Sequence, residues 1–203
     1  VTPILDASSA PQIHPTAFVE AGAELAPGVR IWHNCQIRKG ARLGRAVSVG
    51  KDSYIDAGVA VGEGTRIQNQ VNVYTGVNLG KWCFIGPTVV FTNDQFPRVG
   101  NKSWKIIETH VENGASIGAG AIIRCGIRVG AFAMIGAGAL VTKSVAPFTL
   151  VIGHPAGDSK RICGCGQTVL PLDCSRDELI RDCCRENMSE VTLDLAVAES
   201  KKI

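Results

Sequence analysis

Every sixth residue of the chain is apolar, in one register, over most of its length. Stepping from Ile13 gives Val19, Leu25, Ile31, Ile37, Leu43, Val49, Ile55, Val61, Ile67, Val73, Leu79, Ile85 and Phe91. After a break the register resumes at Val111 and runs through Ile117, Ile123, Val129, Ile135 and Val141. Neither a helix nor a flat strand sustains a repeat of six, whereas short strands joined by turns do. Two residues before each aliphatic stands a smaller residue, such as Val29, Cys35, Ala41, Val47, Ser53 or Thr65. Residues two apart in a strand share a face, so each hexad offers one large and one small residue inward. Glycine recurs directly after the aliphatic (Gly44, Gly62, Gly80) and two positions further on (Gly40, Gly58, Gly76), as corners require. Three hexads make a triangular coil, and stacked coils make an all-β parallel β-helix in which each coil buries its apolar face against its neighbours.

Composition narrows the function. A net charge of +3 with no long basic run argues against nucleic acid as a partner. No apolar stretch is long enough to span a membrane and no secretory signal pattern opens the chain, so a cytoplasmic protein is expected. Of the eight cysteines, Cys35 and Cys83 take small inward positions of the repeat and five lie beyond residue 160. Three parts are expected: an N-terminal segment 1–12, a β-helix 13–156 and a Cys-containing extension 157–203.

The break in the register, about 92–110, is polar and carries Pro97 and Gly100, which predicts an external loop. It retains Phe96 and Trp104 and opens with Asn93-Asp94. A loop held by a rigid scaffold is a common place for binding and catalysis.

Several segments make the chain resemble the left-handed β-helix acyltransferases of the hexapeptide-repeat superfamily. They are Arg30-Ile31-Trp32-His33, Ile67-Gln68-Asn69, Asn72-Val73-Tyr74-Thr75-Gly76-Val77 and Phe84-Ile85-Gly86-Pro87. Val90-Phe91-Thr92-Asn93-Asp94 leading to Pro97-Arg98, Gly114-Ala115-Ser116-Ile117-Gly118-Ala119 and Gly153-His154-Pro155-Ala156 complete the set. Within that superfamily the chain is most similar to bacterial N-acetyltransferases acting on nucleotide-linked 3-amino sugars for cell-surface polysaccharide. The left hand of the coil rests on this resemblance, since parallel crossovers are otherwise right-handed.

The resemblance implies a homotrimer with acetyl-CoA in the groove between neighbouring subunits and the loop closing the site. It implies that Asn93 hydrogen-bonds the sugar amine while the proton passes to the departing CoA sulfur. Asp94 then fixes the sugar or Asn93, or accepts a proton. The expected substrate-binding set is Asn72, Tyr74, Arg98, Trp104 and His33. The expected CoA contacts are the backbone near Ala119 and Ala137, with Lys143, Lys160 and Arg161 as phosphate partners. Ten hexads separate residue 31 from Phe91, which predicts His33 at a corner three coils below Asn93, about 16 Å along the axis. His110 lies where the loop rejoins the coil and is either a base or a surface residue.

The extension departs from most relatives, which have asparagine where His154 stands and end soon after. Cys163, Cys165, Cys183 and Cys184 are candidate ligands for a structural zinc ion, with reduced cysteines or disulfides as the alternatives. A short helix is expected over 175–187. Two other functions share the pattern: acyl transfer to another small acceptor, and a non-catalytic scaffold. A γ-type carbonic anhydrase would need three clustered histidines, and the four here are scattered.

Overall fold

A computed structural model describes residues 10–203; residues 1–9 of the expected N-terminal segment lie outside the described residues. Short strands, mostly of two residues, alternate with turns and stack into three sheets of ten, seven and six strands among the described residues, parallel throughout the coils. Away from the break in the register, strands of successive coils pair eighteen residues apart, as Arg30 with Ser48 and Ser48 with Arg66. Three hexads per coil therefore hold, over about eight turns, and the expected β-helix is the fold. Among the described residues no helix is long and apolar enough to cross a membrane.

The inward pairing read from the hexads fills the core. Ile31, Ile37, Val49, Ile55, Ile67, Ile85, Ile117 and Ile123 are buried, as are the small partners Val29, Cys35, Ala41 and Val47. Polar inward residues find acceptors on the next coil: Ser53 Oγ donates to the Gln68 carbonyl at 3.1 Å and Thr65 Oγ1 to the Gly80 carbonyl at 2.7 Å. The first coil is looser, and Ile13 is exposed.

The two sets of glycines serve different needs. Gly76 has φ +96°, a left-handed conformation that glycine adopts without steric cost. Gly62 has ordinary φ, but a Cβ there would stand 2.4 Å from the carbonyl carbon of Gly80 in the next coil.

Three corners run the length of the prism. Between the first and second faces, His33, Lys51, Asn69, Pro87, Ala119 and Ala137 stack, tied by bonds such as Asp52 N–H to the His33 carbonyl and Gly138 N–H to the Ala119 carbonyl. Between the second and third faces lies the loop corner, occupied by Arg38, Asp56, Tyr74, Thr92, Arg124 and Thr142 in successive coils. The remaining corner carries Trp82, Phe132 and Phe148, each at positive φ. The Trp82 ring covers Gly64 and the Phe132 ring covers Gly114, where a Cβ would meet ring carbons at 2.5 Å.

The extension builds on that aromatic corner. Strand Ala156–Ile162 turns back antiparallel on Thr149–Gly153, so the boundary expected at 157 falls inside a strand that continues the first sheet. A second core joins Ala131, Phe132 and Phe148 to Cys163, Leu170, Leu179, Cys184 and Ala196. The expected helix over 175–187 is broken: a 3-10 turn at Asp177–Leu179 stops at Ile180, which has extended φ/ψ, and helix α1 occupies Asp182–Asn187. A further helix, α2 (Glu190–Ser200), starts at the Ser189 cap and docks on the coils through Glu199, which accepts from Asn113 Nδ2 at 3.0 Å.

Candidate functional site

The loop leaves the coil after strand Val90–Phe91 and returns at Thr109–Val111, so it spans 92–108 rather than running to 110. Across it the pairing offset grows from eighteen residues to thirty-two, with Asn78 opposite His110, and the ladder then continues unbroken. Two hydroxyls hold the ends. Thr92 Oγ1 accepts from Cys125 N–H at 3.0 Å and Thr109 Oγ1 from Gly126 N–H at 3.1 Å.

The loop also rests on the corner it leaves. Ile106 Cγ2 lies 2.5 Å from the place a Cβ of Gly76 would occupy, and Ile107 Cγ2 lies 2.8 Å from that of Gly126. Glycines in the coils on either side thus receive two isoleucines of the returning leg. Beyond this seat the loop encloses an open cavity of about 850 Å³, lined by Asp94, Phe96, Arg98, Ser103, Trp104 and Ile107 among others.

Below the loop a polar ladder climbs the same corner. Glu20 pairs with Arg38, Arg38 Nη1 donates to Tyr54 Oη at 2.9 Å, and Tyr54 Oη donates to Asp56 Oδ1 at 2.8 Å. Asp56 also accepts from Ala57 N–H at 2.7 Å and Thr75 N–H at 3.2 Å. Partial burial pushes the Asp56 carboxyl up, but these donors outweigh it and hold it below the usual carboxylate range. The Lys39 N–H and the Arg38 guanidinium lower Glu20 in the same sense. Burial, and then the bond to Asp56, raise Tyr54. The ring of Tyr74 stands 6.1 Å from that of Tyr54, directly under the loop.

The expected site residues fall into separate groups. Tyr74, Asn93, Asp94 and Lys143 occupy the loop corner in three different coils, and Asn72 points from the adjoining second face, paired with Tyr54 and Val90. Asn93 is half-buried, with no side-chain hydrogen bond among the described residues. Asp94 Oδ1 accepts from Phe96 N–H at 2.9 Å and so shapes the turn that opens the loop. Arg98 and Trp104 line the loop cavity. His33, Ala119 and Ala137 share the opposite edge of the second face, with His33 stacked on His14 at 3.5 Å between ring centroids. His33 lies more than three coils below Asn93 and at another corner. Ten hexads are not a whole number of eighteen-residue coils, so the two residues occupy different corners. Lys160 lies off the coils, on the antiparallel strand opposite Leu150.

Sequence reading missed the ladder of Tyr54, Asp56 and Thr75 and the seat of Ile106 and Ile107. The signal for the ladder was present as the eighteen-residue spacing of Glu20, Arg38, Asp56 and Tyr74. The cysteine quartet, by contrast, comes together as expected. The sulfurs of Cys163, Cys165, Cys183 and Cys184 all lie within 4.8 Å of one another. Burial pushes the Cys163 thiol up, but the Thr168 N–H and the Cys165 and Cys183 thiols bring it down to about 7.

Comparison with known proteins agrees with the repeat. Residues 109–143 match the family model described as the hexapeptide repeat of succinyl-transferase. The chain is 38% identical over 65 residues to dTDP-3-amino-3,6-dideoxy-alpha-D-galactopyranose 3-N-acetyltransferase of Aneurinibacillus thermoaerophilus, covering 32% of this chain and 34% of that protein. It is 30% identical over 90 residues to the putative acetyltransferase C18B11.09c of Schizosaccharomyces pombe, covering 42% and 44%. The chain thus spans between a third and a half of the length of these two relatives. Among solved structures, PerB from Caulobacter crescentus in complex with CoA and GDP-perosamine aligns with 21% identity and a TM-score of 0.38, covering 74% of this chain and 57% of that one. Through its hexads, its triangular coil and the matched segment 109–143, the chain is similar to proteins that carry the hexapeptide repeat.

Proposed function

We propose that this protein transfers an acetyl group from acetyl-CoA to the amine of a nucleotide-linked 3-amino sugar, carried on dTDP or UDP. The observation that carries this reading is the loop seated at one corner of a rigid coil. It presents a half-buried Asn93 with unused hydrogen-bonding capacity beside an open cavity lined by Arg98 and Trp104. The name of the dTDP-amino-sugar relative supports the choice of acceptor.

In this reading a neutral amine attacks the thioester carbonyl, the C–S bond breaks and an amide forms. Asn93 accepts a hydrogen bond from the amine and aims its lone pair, and the amine proton leaves with the CoA thiolate. Such a reaction needs alignment more than activation. Asp94 keeps Asn93 in place through the turn it forms with Phe96. Tyr74 and Asn72 face the sugar, and Arg98 meets a phosphate. Lys143, two coils above Asn93 on the same corner, reaches toward CoA phosphates.

Assembly as a homotrimer belongs to the same proposal. The second face carries the outward residues Phe18, Tyr54, Val90, Ile122 and Leu140 with Gln36 and Asn72 between them, whereas the third is more charged, with Glu24, Arg42, Asn78, His110 and Arg128 beside Ala60. Packing on the apolar face about a threefold axis gives three equivalent clefts. That face is bordered by the loop corner on one side and by His33, Ala119 and Ala137 on the other, so neighbouring subunits complete one cleft from both edges.

One observation favours a variant of the chemistry. Glu108 Oε2 lies 3.2 Å from His110 Nε2 where the loop rejoins the coil, a pairing that would orient an imidazole base. The deciding experiment follows thiol release from acetyl-CoA with dTDP-linked and UDP-linked 3-amino sugars. Release with one carrier supports the proposal. Release only with amines lacking a nucleotide assigns another acceptor, and absence of both release and CoA binding leaves a scaffold.

A further inference from the structure

The extension contains a cluster of side chains that acyl transfer does not use. Cys163 and Cys165 lie on a turn closed by the Gly166 N–H bonding the Cys163 carbonyl at 2.9 Å, with Gly166 at φ +77°. Cys183 and Cys184 lie in α1, eighteen or more residues away in sequence. The sulfur–sulfur distances are 3.5 Å for Cys163–Cys165, 3.8 Å for Cys163–Cys183 and 3.6 Å for Cys165–Cys183.

No disulfide joins these sulfurs, which stand well beyond an S–S bond of about 2.05 Å. They match the edge of a tetrahedron with zinc–sulfur bonds of about 2.3 Å, which is about 3.75 Å. Cys184 supplies the fourth vertex, its sulfur within 4.8 Å of the other three, so closing the remaining three edges takes a movement of about 1 Å. The sulfurs also have the outer partners that metal-bound thiolates take. Thr168 N–H donates to Cys163 Sγ at 3.2 Å, and Thr168 Oγ1 lies 3.5 Å from Cys183 Sγ. Four thiols used only as apolar filling have no reason to converge on one point from two separate segments.

We propose that Cys163, Cys165, Cys183 and Cys184 bind one structural zinc ion that clamps the extension onto the aromatic corner of the β-helix. The ion would join the Cys163–Cys165 turn to α1. The second core around Phe132, Phe148, Leu179 and Ala196 would then be held in register on the coils. All four positions are filled by protein sulfur, so the site is structural rather than catalytic. It is independent of what the loop corner binds.

The test is metal analysis of the full, tag-free chain, purified without chelator, offered zinc and gel-filtered. Wild type and C174S, a cysteine of the extension outside the quartet, should each retain about one zinc per chain; C165S and C183S should lose most of it. Cobalt substitution of wild type should give the visible bands of tetrahedral thiolate coordination. Chelation should open the extension to protease while the far-UV spectrum of the β-helix persists. Wild-type protein that holds no zinc after this treatment, or C183S holding as much as wild type, overturns the proposal. Because the first measurement is made on wild type, failure of a variant to fold does not decide it.

Discussion

Ile106 sits in a notch that exists because residue 76 is glycine: a Cβ at Gly76 would come within 2.5 Å of Ile106 Cγ2. The loop is therefore set on its coil by an absent side chain. G76A carries two penalties, strain at φ +96° and the clash with Ile106, whereas Gly58, at φ +72° one coil below, has nothing within 4 Å. G58A should cost about 1–2 kcal/mol, from strain alone. G76A should cost more and should also expose residues 92–108 to limited proteolysis, which G58A should not. Equal proteolysis of the two variants would remove Ile106 as the seat of the loop.

Asn93 and His110 make different predictions for the reaction. If Asn93 orients the amine, N93A lowers kcat by about 10²-fold with an unchanged melting temperature, because alignment is lost without a change in packing. H110N then leaves kcat within a few-fold of wild type. The reverse pattern would transfer the central role to the Glu108–His110 pair.

The Asp56 carboxyl is held below its ordinary value by hydrogen bonds that its charged form accepts. The sign follows from linkage. The contribution is fully present above the unfolded pKa of about 3.9 and is lost as pH falls through the lower folded value. The stability difference between wild type and D56N should be constant from about pH 8 to pH 5 and shrink below about pH 4. Denaturant titrations at pH 7, 5 and 3.5 measure it, and a difference that grows on acidification would contradict the ladder.

Cys83 is 2% exposed, and burial raises its thiol to about 12. Since the thiolate is the reactive form, native protein at pH 8 should leave Cys83 unlabelled by maleimide for hours, with rapid labelling in denaturant. Peptide mapping by mass spectrometry distinguishes it from the half-buried Cys174.

What could be read in the sequence divides along the two periods of the fold. The period of six sorts inside from outside, so Ile85, Val71 and Cys35 are recognisable as core from spacing alone. Which corner a residue occupies depends on the period of eighteen, so a count of ten hexads gives the rise from His33 to Asn93 but must also be divided by three to give their different corners. The conformation of the loop was not legible because contacts such as Ile107 on Gly126 follow no repeat. The quartet of cysteines was legible as composition. The extended Ile180, which packs against the second core and separates the 3-10 turn from α1, was not, because no repeat or turn signal marks it.

The pairing of each strand with the one eighteen residues away has a consequence for how such a chain can change its length. Removing a single hexad would leave the alternation of large and small inward residues intact, and the core would still fill. Every outward residue beyond the cut would nevertheless rotate by one corner. A cut between Gly76 and the loop would take Gly76 from beneath Ile106, and any groove assembled from residues on both sides of a cut would be dismantled. Removal of a whole coil shortens the column without reshuffling it. Length variation that preserves a surface site is thus confined to whole coils, or to excursions such as 92–108 that rejoin the ladder at the coil they left.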